Sequence, residues 1–247
     1  NGIAQGLVAS VTMGVGQFCT NPGLVFMVND DNAAGFLNTL SEGFKNAMPG
    51  TMLSANICAN YYSGVDKLKS TAAVTALAHS NTAADAAKTE ALPYVFTVTQ
   101  KDFIANKQLS HEVFGPATLV VLCNNVDEIG DILKDMEGQL TATVHATGAD
   151  EKQIQPVIDL MKEKAGRVIF GGFPTGVEVC DAMVHGGPFP STTDGRSTSV
   201  GTAAILRFVR PVAYQNFPAH LLPDALKNNN PLHILRKVNG MFTKNAF

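Results

Sequence analysis

A cysteine at position 19 is the first residue in this sequence whose surroundings suggest chemistry. Cys19 lies between a glycine-containing approach, Gly14-Val15-Gly16, and an Asn-Pro-Gly turn, with a helical pattern before it and an apolar run after it. Backbone N–H groups beside a helix can stabilise a thiolate or an oxyanion, which would make this cysteine a nucleophile. The other interpretation is a small buried structural cysteine, and the spacing alone does not choose between the two.

A second stretch, HEVFGP at residues 111–116, precedes the apolar run TLVVLC. Glu112 and Phe114 would place a carboxylate and an aromatic ring at the entrance of a strand. The alternative interpretation is a polar loop with one anchoring phenylalanine. Taken by itself, this stretch indicates no specific chemistry.

Several classes of site and of protein are disfavoured by the composition. The four cysteines form no CxxC pair and the six histidines no HExxH motif, which makes a metal site improbable. The glycines form neither a dinucleotide fingerprint nor a Walker motif. With a net charge of -3 and 18 scattered Lys and Arg residues, the sequence does not predict nucleic-acid binding. No apolar run reaches the roughly 20 residues that span a bilayer. The absence of a visible secretory signal and the low cysteine density favour a cytoplasmic protein.

Strand and helix patterns alternate along most of the chain. Apolar runs of strand length alternate with amphipathic stretches, and Asn125 with Glu128 resembles a capping box. This order predicts an α/β fold with a parallel-type open sheet and flanking helices. Strands are predicted at 24–29, 72–79, 94–99, 118–123, 140–147 and 167–170, and helices at 1–15, 30–47, 125–136 and 150–166, the last closing at Gly166 as a left-handed cap.

The character of the sequence changes after Phe170. Residues 171–198 are rich in Gly, Pro, Ser and Thr, which is typical of a long functional loop. A short helical stretch and a strand over 207–216 follow, and from Pro218 the sequence is polar and proline-punctuated.

Taken together, the two motifs resemble those of the aldehyde dehydrogenase superfamily. Residues 16–19 match its Gly-Gln-x-Cys motif and residues 112–116 its Glu-x-Phe-Gly-Pro motif, in the same order and in an α/β setting. The resemblance covers essentially the whole chain but only the second half of that family's length. Residues 173–218 resemble the branch of α-ketoglutaric semialdehyde dehydrogenases and related NADP-dependent aldehyde dehydrogenases. In that region RSTSVGT stands where most members carry Ser-Gly-x-Gly-Arg-Glu.

The resemblance implies a covalent mechanism centred on Cys19. The thiolate would attack an aldehyde to give a thiohemiacetal, a hydride would leave to a nicotinamide, and the thioester would be hydrolysed to a carboxylic acid. The Cys19 N–H would be one oxyanion donor. Glu112 would hold the nicotinamide ribose, and Phe114 would pack beside it. The implied cofactor is NADP or NAD, with NADP favoured by the branch. Candidates for the substrate channel, each of which could instead be core, are Phe173, Pro174, Val179, His185 and Phe189.

The resemblance also predicts the organisation of the chain. Residues 1–198 would form a catalytic domain, 199–217 a helix and an intersubunit strand, and 218–247 a C-terminal tail. The family's general-base glutamate and asparagine oxyanion donor would lie upstream, in a longer enzyme that includes a cofactor-binding N-terminal half. The chain alone is therefore expected to be inactive, and the intact enzyme is expected to be a homodimer or tetramer.

Three alternatives remain at this stage. Within the superfamily, the protein could be a CoA-acylating or acyl-phosphate-reducing member. Cys19 and one of the histidines could instead form a hydrolase dyad. A non-catalytic assembly domain is the third alternative.

Overall fold

The computed structural model describes residues 2–174 and 176–247. Its internal contacts divide the chain after Arg207 into a large first unit and a small second unit, Phe208–Phe247. The elements in chain order are α1 (Gly2–Thr12), β1 (Leu24–Val28), α2 (Ala33–Asn46), β2 (Gly50–Thr51), α3 (Ala55–Ser70), β3 (Thr75–His79), β4 (Glu90–Ala91), β5 (Tyr94–Thr99), α4 (Gln100–Ala105), β6 (Ala117–Cys123), α5 (Val126–Asp135), β7 (Gln139–Val144), α6 (Glu151–Lys164), β8 (Ala165–Phe170), β9 (Arg236–Val238) and β10 (Met241–Thr243).

The central sheet has the strand order β1-β6-β5-β3. Strand β6 runs parallel to both of its neighbours, with Leu24 opposite Leu119 and Tyr94 opposite Ala117. Strand β3 pairs antiparallel with β5 at the edge of the sheet. The α/β fold with a parallel-type open sheet and flanking helices is therefore confirmed, with one antiparallel edge strand.

Two hydrophobic clusters cover the two faces of this sheet. Because successive strand residues point to opposite faces, Phe96 and Val121 join one cluster while Val95 and Val120 join the other. The first cluster packs against α3 and the second against α1 and α2. All four of these strand residues are fully buried. Burial on both faces explains why β5 and β6 are continuous apolar runs rather than alternating ones.

Helix α3 is absent from the sequence-based prediction. Its buried residues follow a helical spacing of three or four, which is a pattern that the sequence did contain: Cys58, Tyr61, Val65 and Leu68. The side chain of Ser54 caps the helix by accepting a hydrogen bond from the Ile57 N–H at 3.3 Å. Polar residues between the buried positions obscured the pattern.

The predicted cap of α5 is confirmed, with one difference in its partners. The Asn125 side chain accepts a hydrogen bond from the Glu128 N–H at 3.0 Å. The Glu128 carboxylate in turn accepts from the backbone and side-chain N–H groups of Asn124, both at 2.8 Å, rather than from Asn125. These hydrogen bonds from Asn124 lower the pKa of Glu128, because they stabilise its charged form.

Gly166 is not the cap of α6, and that prediction was wrong. Helix α6 ends at Lys164, and Gly166 lies in β8, which pairs parallel with β7. A Cβ atom at Gly166 would overlap the carbonyl group of Gly186. The glycine is thus required by the close approach of the 171–201 loop to β8.

The helical stretch predicted near the end of the chain is a 3-10 helix, Thr202–Arg207. Within the described part of the second unit, residues 208–217 form no strand, although one was predicted over 207–216. A strand needs a neighbour to supply its ladder hydrogen bonds, and β9 and β10 pair with each other instead. Across residues 2–174 and 176–247, no helix is long and apolar enough to cross a membrane.

Candidate active site

Cys19 follows a turn with unusual backbone geometry. After α1, residues Gly14, Val15 and Gly16 all have positive φ, of 53°, 59° and 66°. Gln17 fixes the end of this turn, since its Oε1 accepts from the Leu53 N–H at 2.9 Å and its Nε2 donates to the Gly14 carbonyl at 3.2 Å. Cys19 itself is exposed. It is therefore not a buried structural cysteine.

The two sequence motifs meet backbone to backbone. A Cβ atom at Gly16 would overlap the carbonyl group of Gly115, so no larger residue fits at this contact. Asn21 strengthens the contact, because its Nδ2 donates to the Gly115 carbonyl oxygen at 3.1 Å. The loop that carries Cys19 and the loop that carries Glu112 and Phe114 thus form one surface.

The second motif is anchored on helix α3. Gly115 has a φ of 151° and lies so close to the Tyr61 ring that a side chain would overlap it. The Tyr61 hydroxyl donates to the Leu92 carbonyl at 2.6 Å, and burial raises the pKa of this phenol well above its ordinary value. Glu112 is exposed, and the Phe114 ring is 37% exposed. A fixed loop therefore presents a carboxylate and a ring to solvent.

His185, a predicted channel residue, is in direct contact with Cys19. Its Nε2 lies 3.3 Å from the Cys19 Sγ. Burial lowers the pKa of His185 from its ordinary value of 6.5, and the positive charge of Arg167 lowers it further. The structure thus pairs the candidate nucleophile with a histidine that resists protonation.

The other predicted channel residues differ in their surroundings. Pro174 lines a shallow depression, with room for about one water molecule, together with Phe18 and Asn21, which flank Cys19 in sequence. Val179 and Phe189 are 76% and 80% exposed. None of the described contacts of these last two residues involves Cys19.

Phe173 is part of the packing around α1. It is half-buried, its ring fills the space beside Gly6, and it lies against the His145 ring at a centroid distance of 4.7 Å, with the two rings tilted by 40°. It also packs against the core cluster that contains Leu7 and Phe44. Its described contacts are therefore with α1, with His145 and with this cluster.

Three residues of this region were not identified from the sequence. Asn21 was interpreted only as part of a turn, Tyr61 lies in the unpredicted helix, and Arg167 was assigned to a strand. Arg167 donates from Nη1 to the Met183 sulfur at 3.4 Å, while its Nε is buried without a hydrogen-bond partner among the described residues. Long-range contacts reveal these roles, and the sequence signalled only that Tyr61 lies on a helically spaced stripe.

Metal chemistry receives no support from this arrangement. Among residues 2–174 and 176–247, no group of three or more His, Cys, Asp or Glu side chains could hold a metal ion.

His145 provides a prediction about pH. Burial lowers its pKa from the ordinary value of 6.5, so the unfolded chain binds more protons at this position than the folded chain does. The free energy of unfolding should therefore fall as the pH decreases through about 6.5. In His145→Phe this fall should be smaller, which urea unfolding at neutral pH and at about pH 5.5 would measure. An unchanged fall would contradict the assignment, since other groups with lowered pKa values, such as His185, would then account for it.

The sequence has close relatives among curated proteins, although no family model matches it. It is 45% identical over 244 residues to an alpha-ketoglutaric semialdehyde dehydrogenase of Acinetobacter baylyi, a match that covers 98% of this chain and 46% of that protein. It is 44% identical over 240 residues to alpha-ketoglutaric semialdehyde dehydrogenase 2 of Azospirillum brasilense, covering 96% and 45%. The chain thus spans about half the length of the curated relatives it matches.

A solved structure has the same fold. The structure of succinic semialdehyde dehydrogenase from Streptococcus pyogenes, in complex with NADP+, matches this chain with a TM-score of 0.67 at 17% identity. The match covers 87% of this chain and 46% of that one.

Proposed function

We propose that this chain, which belongs to the aldehyde dehydrogenase superfamily, provides the nucleophile for an NAD(P)-dependent oxidation of an aldehyde to a carboxylic acid. The observation that carries the proposal is the backbone contact between Gly16 and Gly115. It joins the loop of an exposed thiol to a loop that presents a carboxylate and an aromatic ring. The thiol can bond to a carbonyl carbon, while the carboxylate and the ring can hold a nucleotide beside it.

In the proposed reaction, Cys19 forms and then releases a covalent bond to the substrate. Its thiolate attacks the aldehyde carbon, and the oxygen that becomes negative in the thiohemiacetal is stabilised by the Cys19 N–H. When that oxygen re-forms a carbonyl, a hydride leaves the carbon and a thioester remains on Cys19. Water then cleaves the thioester, which yields the carboxylic acid and regenerates the thiol.

Glu112 and Phe114 are the proposed cofactor residues. The fit is supported by their exposure on a loop that Tyr61 and Gly115 hold in place. An exposed carboxylate accepts hydrogen bonds from ribose hydroxyls, and an exposed ring packs against a flat heterocycle. Bound NAD(P) would supply the acceptor for the hydride. NADP is favoured because the sequence resembles an NADP-dependent branch.

The proposed substrate is an aldehyde that carries a carboxylate at its other end. Support comes from the relatives, which are named alpha-ketoglutaric semialdehyde dehydrogenases. Pro174, together with Phe173, Val179 and Phe189, remains the proposed wall of the substrate channel. Of these, Pro174 has the strongest support, because the depression beside it is lined by the neighbours of Cys19.

The proposal extends to the assembly of the enzyme. Residues 1–198 would act as the catalytic domain, together with a cofactor-binding half in the relatives' remaining length. The general base and the amide oxyanion donor are expected there. Residues 199–217 would pair with a second copy in a homo-oligomer, and 218–247 would form the tail. A cytoplasmic location is supported by the four free cysteines.

The test is an assay of the full-length protein with a short aldehyde that carries a distal carboxylate, and with NADP or NAD. We expect reduced nicotinamide and carboxylic acid in equal amounts, and an acyl group on Cys19 after acid quenching. Product that appears only with added CoA or phosphate would assign the protein to the acyl-transferring members instead. Absence of nucleotide reduction under all of these conditions would refute the dehydrogenase proposal.

A Cys–His hydrolase is the second candidate, because Cys19 and His185 are in contact. A hydrolytic dyad usually has a third group that orients its base. The Nδ1 of His185 has no such partner among the described residues, which makes this candidate weaker. Ester cleavage without nucleotide, in a protein that reduces no nicotinamide, would favour it.

A further inference from the structure

The contact between Cys19 and His185 joins two residues that are 166 positions apart. At 3.3 Å, Sγ and Nε2 are within hydrogen-bonding distance for a sulfur atom. The imidazole therefore touches the atom that would attack the aldehyde. This contact raises the question of which atom carries the proton.

His185 is held in place by its own backbone. Its N–H donates to the Thr198 hydroxyl at 2.8 Å, and its carbonyl accepts from both the N–H and the hydroxyl of Ser199 at 2.9 Å. Thr198 is buried and donates its own hydroxyl to the Val200 carbonyl. The 171–201 loop thus fixes the position of His185 beside Cys19.

An imidazolium is disfavoured at this position. The charged or titratable groups that the described structure places against His185 are Cys19 and Arg167. Burial of the ring and the positive charge of Arg167 both oppose a second positive charge on the imidazole. His185 is therefore neutral and carries a single ring proton, either on Nδ1 or on Nε2.

The two neutral forms are not equivalent. Nδ1 is buried and has no hydrogen-bond partner among the described residues. Nδ1 lacks a partner in either form, so the two forms differ at Nε2. With the proton on Nδ1, Nε2 could accept only from a thiol, which is a weak donor. A proton on Nε2 instead makes a hydrogen bond to a thiolate, which is of the stronger, charge-assisted kind.

We propose that His185 is a neutral hydrogen-bond donor that holds Cys19 as a thiolate through its Nε2–H. In this role His185 neither takes the thiol proton nor forms an ion pair with the sulfur. The inference deepens the proposed function, which requires an ionised Cys19. Its test uses neither aldehyde nor nucleotide, so its failure is distinguishable from failure of the dehydrogenase proposal.

The experiment measures the alkylation of each cysteine by iodoacetamide across pH, with mass spectrometry to assign the sites. The midpoint of the Cys19 profile is the readout, because the rate at one pH also reflects the intrinsic nucleophilicity of the thiolate. Cys180 serves as the reference within the same chain. Cys58 and Cys123 are buried, so their labelling reports unfolding.

Two variants separate the alternatives. Glutamine at position 185 keeps an N–H donor near the place of Nε2 but does not titrate, whereas alanine removes the donor. His185→Gln should keep the midpoint within a few tenths of a pH unit of the parent. His185→Ala should raise it by about one pH unit or more, which is roughly a tenfold loss of thiolate below both midpoints. Equal shifts in both variants, or no shift in either, would overturn the proposal.

If a variant unfolds, so that Cys58 and Cys123 become labelled, a second measurement on the unaltered protein still tests the proposal. The 15N chemical shifts of the His185 ring report which nitrogen carries a proton. We expect the neutral form with the proton on Nε2 at neutral pH. A proton on Nδ1, or on both nitrogens, would overturn the proposal.

Discussion

Replacing Cys19 by alanine in the full-length protein is expected to lower the rate of aldehyde oxidation by about 10⁴- to 10⁶-fold, the range found when a covalent nucleophile is removed. The physical reason is that no other described thiol is placed to substitute for it. Cys58 and Cys123 are buried, and burial raises the pKa of Cys123 to about 12. The measurement is the steady-state rate of nicotinamide reduction.

The matched control for this variant is Cys180→Ala. Cys180 is a free cysteine of the same 171–201 loop as His185, and it is half-buried rather than exposed. Its replacement should leave the rate of oxidation within about threefold, because the described structure gives it no contact with Cys19. A Cys19→Ala enzyme that retained a tenth of the activity would identify the chain as an assembly domain or Cys19 as a structural residue.

Replacing Gly16 by alanine is expected to destabilise the fold by about 2–5 kcal/mol. A positive φ of 66° at this position costs an alanine about 1–2 kcal/mol. The new methyl group would overlap the Gly115 carbonyl group, and overpacking of this kind typically costs about 1–3 kcal/mol more. The atoms in the way are backbone, so a rotamer change does not relieve the overlap. Urea unfolding measures the loss of stability.

Gly35→Ala is the matched control for that experiment. Gly35 lies inside α2, and a Cβ atom there would meet nothing within 4 Å. Alanine should therefore stabilise this helix by roughly 0.5–1 kcal/mol. A Gly16→Ala chain as stable as the parent would show that the loops of Cys19 and Phe114 do not depend on their close approach.

The strands of the central sheet could be predicted from sequence because each carries its own signal. Buried parallel strands such as β5 and β6 are short, continuous apolar runs between turn residues. Helix α3 lacked so plain a signal, since only one narrow stripe of it is buried. The prediction for Gly166 was wrong because a glycine after a helix can either cap the helix or allow another segment of backbone to approach closely. The sequence does not distinguish these two roles.

The candidate site was predicted in part. Cys19, Glu112 and Phe114 were proposed from two motifs whose residues are contiguous in sequence, and the structure brings the loops of the two motifs together. The contact between Cys19 and His185 depends on how a loop far along the chain folds back onto α1 and its following turn. Nothing local to His185 indicates that contact, and its assignment to the channel followed only from a resemblance.

The pairing of β1 with β6 has a consequence for how this protein can change over evolutionary time. Both motifs lie just before these strands, which are parallel neighbours with Leu24 opposite Leu119. A slip of one residue in that pairing would separate the two loops by about 3.3 Å and turn every strand side chain to the other face. Main-chain hydrogen bonds between β1 and β6 therefore set the alignment of the Cys19 loop with the loop of Glu112 and Phe114. Substitutions of side chains around the site leave this pairing intact. Insertions or deletions between each motif and its strand would disrupt it, so selection would eliminate them.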